Sequence, residues 1–358
     1  MTLILFLIVL ALLIFVHELG HFLAARACGI RVDEFALGFG YRLWHKKKGE
    51  TTYSLNLVPF GGYVKIFGEN PDDESLSGPH SKRSFANKPR WQQAIVLVAG
   101  VVFNFVFALI LISVAFMFGV PASTESYPQY ANRMENPHIA ITYVEPGAPA
   151  ELAGLKPGDR ILGYSSVEAV QGAIADSRSM GFFLKYTRGG VSMEKTVVAK
   201  EGIVPGKHAI GISMDKVATL QLPIHLALFE GTRFTLHMMK EITLGIYDIV
   251  AGIFTGSSKL SSVTGPVGIA GMVSDAATLG FTYLMMFTAL ISINLGVLNL
   301  VPFPALDGGR LLFVLIESII RRPIKPVVAN AFNAVGFALL IFLMVVVTYK
   351  DIVKIFVK

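Results

Sequence analysis

Long apolar runs alternate along this chain with stretches in which polar and charged positions recur. Leu3 to Val16 is almost wholly apolar and continues as HELGHFLAARACGI, so three ionisable side chains fall inside a helix of membrane length. Trp91 to Phe118, Phe281 to Val301 and Val327 to Thr348 are each roughly 20 residues or more, enough to cross a bilayer. The pattern predicts four transmembrane helices, at 1–25, 91–120, 281–301 and 327–358 with its tail, and puts both termini on one side. The first run reads as a span rather than a signal peptide, because no basic residues precede it and no small-residue cleavage site ends it.

Between the second and third spans, about Pro121 to Gly280, the composition is that of a soluble domain. IAITYVEPGAPAELAGLKPGDRILGY reads as strand, turn, short helix and strand; FFLKYTRGG and VSMEKTVVAK read as a hairpin turning at Arg188-Gly189-Gly190. HAIGIS after Gly206 is expected to be the last strand, closing a compact α+β domain over 121–218. From Pro223 to Phe254, within 219–280, an amphipathic pattern with Arg233, His237, Lys240 and Glu241 predicts a helix along the membrane surface.

Composition supports the membrane reading: 53% of 358 residues are hydrophobic, 16% are charged and the mean hydropathy is +0.59. The formal charge of +6 is scattered over loops rather than gathered in a stripe, so nucleic acid is not an expected partner. A single cysteine, Cys28, excludes an internal disulfide framework and reads as a small buried hydrophobe. Basic residues crowd 26–90 (Arg26, Arg31, Arg42, Lys46-Lys47-Lys48, Lys82, Arg83, Lys88, Arg90) and 302–326 (Arg310, Arg321, Arg322, Lys325). Both loops are therefore expected on the cytoplasmic side, against the milder counter-signal of Lys350, Lys354 and Lys358.

The chemistry concentrates in His17-Glu18-Leu19-Gly20-His21. Histidines at i and i+4 share one helical face and can bind a single zinc ion, with Glu18 beside the attacking water as general base. Ionisable groups within the bilayer cost about 2.5–3.5 kcal/mol each on insertion scales, which asks for a functional reason. His17 lies about 14 residues, roughly 21 Å, from the outer end of its helix, so the metal belongs in the cytoplasmic half of the membrane. A catalytic zinc needs a third ligand, and Asp307 in NLVPFPALDGGR is the candidate: Pro302 and Pro304 break the helix and Gly308-Gly309 allow close approach, leaving the carboxylate on irregular backbone. Asn299 is placed to hydrogen-bond the scissile carbonyl or the oxyanion, Asn294 less directly; helix-to-helix bonding is the other reading of both. The remaining histidines have no partner at ligand spacing.

HELGH in the first span, GFGYRLW followed by VPFGGYVKI in the first loop, and NLVPFPALDGG in the third span together resemble the bacterial site-2 proteases, zinc metalloproteases of the regulator of sigma-E protease type. The resemblance implies His17, His21 and Asp307 as Zn2+ ligands, Glu18 as base and Asn299 as an aid at the substrate. It also implies a membrane-reentrant β element from Gly38-Phe39-Gly40 and the stretch Tyr53 to Val64, able to hold an extended substrate by backbone hydrogen bonds. Gly61 and Gly62 belong to that element, and turn geometry is the alternative reading of all four glycines. VEPGAPAELAGLKPGDRI makes the insert resemble a circularly permuted PDZ domain, with GKHAIGI as its carboxylate-binding loop. Relatives often carry two such domains where this chain has room for one, and the Asn-Gly usual after GDRI is replaced by Gly163-Tyr164-Ser165-Ser166. The insert would bind peptide tails or exclude bulky substrates.

The expected fold is thus a polytopic α-helical membrane protein with a reentrant β element and an inserted α+β PDZ domain. By resemblance it sits in a bacterial inner membrane, with the PDZ domain extracytoplasmic. It would cut single-pass membrane proteins, anti-sigma factors or remnant signal peptides, after trimming by a site-1 protease. A non-catalytic PDZ scaffold would be marked by loss of Glu18 or a ligand, and none is lost. A metal-ion transporter would need polar residues continuing across the bilayer, and spans two and four offer few.

Overall fold

The computed structural model describes residues 2–177, 181–204, 207–255, 264–322 and 324–356. The elements run α1 (Thr2–Ala27), β1 (Val32–Lys48), β2 (Thr51–Ile66), α2 (Asp73–Ser77), α3 (Arg90–Phe118), β3 (Val120–Ser123), β4 (Met134–Val144), α4 (Pro149–Leu152), β5 (Arg160–Ile161) and α5 (Val167–Ser177). They continue as β6 (Phe182–Arg188), β7 (Val191–Val197), β8 (Lys200–Val204), β9 (Lys207–Ala209), β10 (Ile212–Leu220), α6 (Ile224–Thr255), α7 (Pro266–Leu279), α8 (Phe281–Leu300), α9 (Asp307–Ile320) and α10 (Pro326–Phe356). Among the described residues four helices are long and apolar enough to cross a membrane: 3–27, 90–118, 281–300 and 327–353. The chain divides into two compact units, one of residues 1–112, 230–275 and 286–358, the other of 113–229 and 276–285.

In the first unit α1 and α3 touch through Gly20, where a β-carbon would sit 2.5 Å from the carbonyl oxygen of Ala99. The β1–β2 hairpin lies against α1, burying Phe22, Ala25, Ile30, Val32, Phe35, Val64 and Ile66 in one cluster with Val96 and Leu97 of α3. Each strand bends back, so β1 pairs twice: Val32↔Ile66 to Leu37↔Gly62, then Arg42↔Asn56 to Lys48↔Thr51. Residues 34–37 also lie beside 52–55, both numbers rising together. Four segments therefore stand side by side in the order 62–66, 32–37, 51–56, 42–48. The sequence placed the β element in a Gly38-Phe39-Gly40 loop followed by a hairpin over 53–64. Instead Gly38-Phe39-Gly40 lies inside β1, which bends there because Gly38 and Gly40 take φ of 81° and 84°.

Other boundaries move as well. The second span ends at Phe118, since Gly119 adopts φ 99° and Val120 already pairs in β3. The segment 302–326, read as a loop, contains the fourteen-residue helix α9, whose apolar face recurs at Leu311, Val314 and Leu315. Within 219–280, β10 runs to Leu220 and a second helix, α7, follows α6. Asp351 of α10 accepts the Gly268 amide of α7 at 2.9 Å.

The second unit holds a six-stranded sheet ordered β3-β10-β4-β5-β6-β7, with β8 and β9 a separate pair. Ile139, Ile141, Ile161, Leu184 and Tyr186 from the sheet meet Val170 and Ile174 of α5 in its core. Fully buried Asp159 is held by Arg188 through two bonds of 2.6 Å. HAIGIS is not one strand: Gly211, at φ 78°, separates β9 from β10. Gly206 and Lys358 lie outside the described residues.

Candidate metal centre and active site

His17 and His21 are one helical turn apart on α1 and leave the same face, their ring centroids 4.7 Å apart. Asp307, the first residue of α9, completes a triangle with them. Its Oδ2 lies 3.1 Å from His17 Nε2 and 3.3 Å from His21 Nε2, and the two nitrogens are 3.2 Å apart. A tetrahedral zinc site with bonds of about 2.0–2.1 Å has ligand-to-ligand edges of roughly 3.4 Å, so this triangle fits a zinc-sized ion capping one face. The donor chemistry agrees: Asp307 Oδ2 is buried without a hydrogen-bond partner, as an oxygen awaiting a cation would be.

Surrounding groups fix both imidazoles. His21 Nδ1 donates to the Val96 carbonyl of α3 at 2.8 Å, leaving the Nε2 lone pair toward the triangle. His17 Nδ1 is 3.1 Å from Nδ2 of Asn104, a fully buried residue whose Oδ1 has no partner. Turning that amide over exchanges Nδ2 for Oδ1 against the ring; Oδ1 then accepts the Nδ1 proton and His17 also directs a lone pair inward. Ser292 of α8 donates to the Asn104 carbonyl at 2.8 Å, tying a third helix to this level. Gly100, one turn before Asn104, faces both rings; a β-carbon there would lie 2.8 Å from His17 Cε1. Sequence reasoning missed Gly100 and Asn104. The available signal was a lone amide in the middle of an apolar span, with a small residue one turn away.

Between α8 and α9 the chain reverses over residues 301–306, with Ala305 in the left-handed region at φ 70° and its amide donating to Asn333 Oδ1 of α10 at 3.3 Å. Asp307 is thus helical, following a short irregular turn, rather than on irregular backbone itself. Arg310, one turn on, pairs with Glu69 beyond the hairpin, and Arg90 of α3 pairs with Glu317 at 2.8 Å. Both ion pairs anchor the ligand-bearing helix.

A cleft of about 290 Å³ opens onto the triangle, lined by Ile14, Glu18, Gly61, Gly62, Leu295 and Asn299. Asn299 Nδ2 stands 3.4 Å from His17 Nε2. Gly62 lets β2 approach α1, for its β-carbon would come 3.1 Å from Ile14 Cγ2, with Glu18 Cγ beside it at 3.4 Å. The other named residues lie elsewhere. Asn294 is exposed and bonds its own helix at Leu290, since five residues from Asn299 is about 140° around an α-helix. Tyr53 is an aromatic packing residue, 6.0 Å from Phe22 and 6.2 Å from Phe35. Phe39 stacks on Tyr63 at 6.1 Å, and Gly38 accepts from Asn56 at 3.0 Å; neither these nor Gly40 line the cleft.

The sequence matches peptidase family M50 over residues 5–343. It is 36% identical over 349 residues to a protein of Clostridium perfringens, covering 95% of each chain. It is 33% identical over 357 residues to one of Nostoc, covering 96% of this chain and 93% of the relative. A protein of Shouchella clausii is 28% identical over 436 residues, covering 99% of each. All three carry zinc metalloprotease names, the last being zinc metalloprotease RasP.

Proposed function

The chain belongs to peptidase family M50, and from that premise we propose that His17, His21 and Asp307 hold the catalytic zinc ion while Glu18 serves as general base. The protein is a zinc-dependent intramembrane protease acting on membrane-protein substrates within the bilayer. The observation that carries the assignment is the triangle of two Nε2 atoms and Oδ2, with edges of 3.1–3.3 Å, at the floor of a cleft that also exposes Glu18.

Bound zinc supplies Lewis acidity, activating a water and polarising the scissile carbonyl. Glu18 takes the proton from the attacking water and returns it to the departing amine nitrogen. Asn299, on the same cleft wall, donates its amide hydrogens to the carbonyl oxygen as negative charge develops there. Asn104 and the Val96 carbonyl hold the rings, so the ligands need no reorganisation during the reaction. Gly61 and Gly62, at the hairpin edge, leave room for an extended peptide beside Glu18.

The β1–β2 element enters the membrane beside the cleft, and the six-stranded unit is a permuted PDZ domain outside it. A cleft of about 470 Å³ between α5 and residues 208–214 supports a peptide-binding role for that domain, while Gly163-Tyr164-Ser165-Ser166 in place of the usual Asn-Gly supports a filter. Placement in a bacterial inner membrane, substrates such as anti-sigma factors or remnant signal peptides, and prior trimming by a site-1 protease extend the reading by family likeness. Purified wild type and Glu18→Gln, each with measured zinc content, test the core of it. Cleavage of a transmembrane segment by wild type alone, with equal zinc in both, is the expected result; cleavage by both removes Glu18 as base.

A further inference from the structure

The outermost segment of the hairpin grades from aromatic to basic. Tyr41, Leu43 and Trp44 are 76%, 56% and 54% exposed, and Lys46, Lys47 and Lys48 follow, all exposed. The lysines pair through their backbone with Tyr53, Thr52 and Thr51, and the Thr51 hydroxyl donates to Val32 O at 2.8 Å. Val32 stands just past the end of α1, so the lysines are level with the end of a membrane span. From Lys48 back to Tyr41 the strand rises roughly 23 Å at about 3.3 Å per residue, toward the depth of Ile14 and Glu18, which Gly62 meets on the same sheet.

The nearby acids are already engaged. Glu50 accepts two bonds from Arg83, at 2.7 and 2.5 Å, and that guanidinium holds its carboxyl below the ordinary range. Glu34 accepts from Arg42 at 2.7 Å and from Ser54 at 2.6 Å. Among the described residues no ion pair reaches Lys46, Lys47 or Lys48.

Resting on the reading of this element as membrane-inserted, we propose that Lys46, Lys47 and Lys48 bind anionic phospholipid headgroups while Trp44 sits at the interface, fixing the depth of the hairpin beside the cleft. A soluble acidic protein would match the charge but not the exposed Tyr41, Leu43 and Trp44 directly above it. Trp and Tyr favour the interface, and basic residues there attract anionic lipid by about fivefold each.

The test uses the full chain in nanodiscs of phosphatidylcholine with or without phosphatidylglycerol. Selectivity for spin-labelled phosphatidylglycerol over phosphatidylcholine is compared for wild type, Lys46→Gln/Lys47→Gln/Lys48→Gln and the triple Arg variant, each checked for zinc content. In a Trp91→Phe background, Trp44 fluorescence is quenched with chain-brominated lipid. We expect selectivity to fall severalfold in the Gln variant, to weaken with salt in wild type and to persist in the Arg variant. Trp44 quenching with unchanged selectivity in the Gln variant overturns the lipid site alone. Absence of quenching overturns the membrane-inserted reading as well.

Discussion

Gly100 on α3 faces His21 on α1 so closely that a β-carbon at position 100 would collide with the imidazole Nε2. Moving the helices apart to make room would open the close contact of Gly20 on α1 with the Ala99 backbone. The ligand geometry therefore depends on a position that offers no functional group at all. Gly100→Ala should lower zinc affinity by at least about tenfold, the scale seen when the surroundings of metal ligands are disturbed. Competition with a chromogenic chelator measures this; wild-type affinity would mean that the rings can move aside.

Asn104 should matter through the proton it accepts. Asn104→Leu leaves His17 Nδ1 without a partner and should weaken zinc by about 10–100-fold. Asn104→Asp, whose carboxylate also accepts from Nδ1, should recover most of that loss. If Asp proves as damaging as Leu, the amide acts as a donor and the tautomer assigned to His17 is wrong.

Acidification competes directly with metal. As the proposed ligands, both histidines would bind zinc only when unprotonated and Asp307 only as carboxylate, so binding would release protons and affinity should fall with falling pH. The apparent zinc affinity should therefore fall steadily as pH falls, because each imidazole must give up its proton before it can bind metal. A chelator titration from pH 7.5 to 5.5 gives the slope; a flat profile would exclude two histidine ligands.

Much of the centre was legible because its signals are local. His17 and His21 announce a shared face by their spacing, and Asp307 stands out as an acid beside Pro302, Pro304 and a glycine pair at the end of an apolar span. Those same breakers hid α9, since Gly308 and Gly309 look like loop residues where close approach to the preceding turn is what requires them. Asn104 met its partner 87 positions away, a distance at which periodicity carries no information. The doubled pairing of β1 was equally hidden, because alternation gives the faces of a strand but not the neighbours it finds after bending.

Deleting about Ser126 to Asp215 should leave hydrolysis intact, for no residue of the metal centre or its cleft lies in that stretch. Selection should change. A filter predicts new cutting of substrates with bulky outer portions, whereas a recruiting domain predicts slower cutting of trimmed ones. The ratio of bulky to short substrate cleavage decides, and a ratio identical to wild type would leave the domain without a role in access.

The central claim is that zinc held by His17, His21 and Asp307 drives peptide cleavage in the membrane. Its most direct measurement is cleavage of one transmembrane segment by wild type and Asp307→Asn, before chelation, after it and after stoichiometric zinc is restored, with metal content read at each stage. Wild type should bind one zinc per chain, lose activity with the metal and regain both together, while Asp307→Asn should retain neither under the same chelator. Full cleavage by metal-free wild type, or wild-type zinc retention by Asp307→Asn, would contradict it.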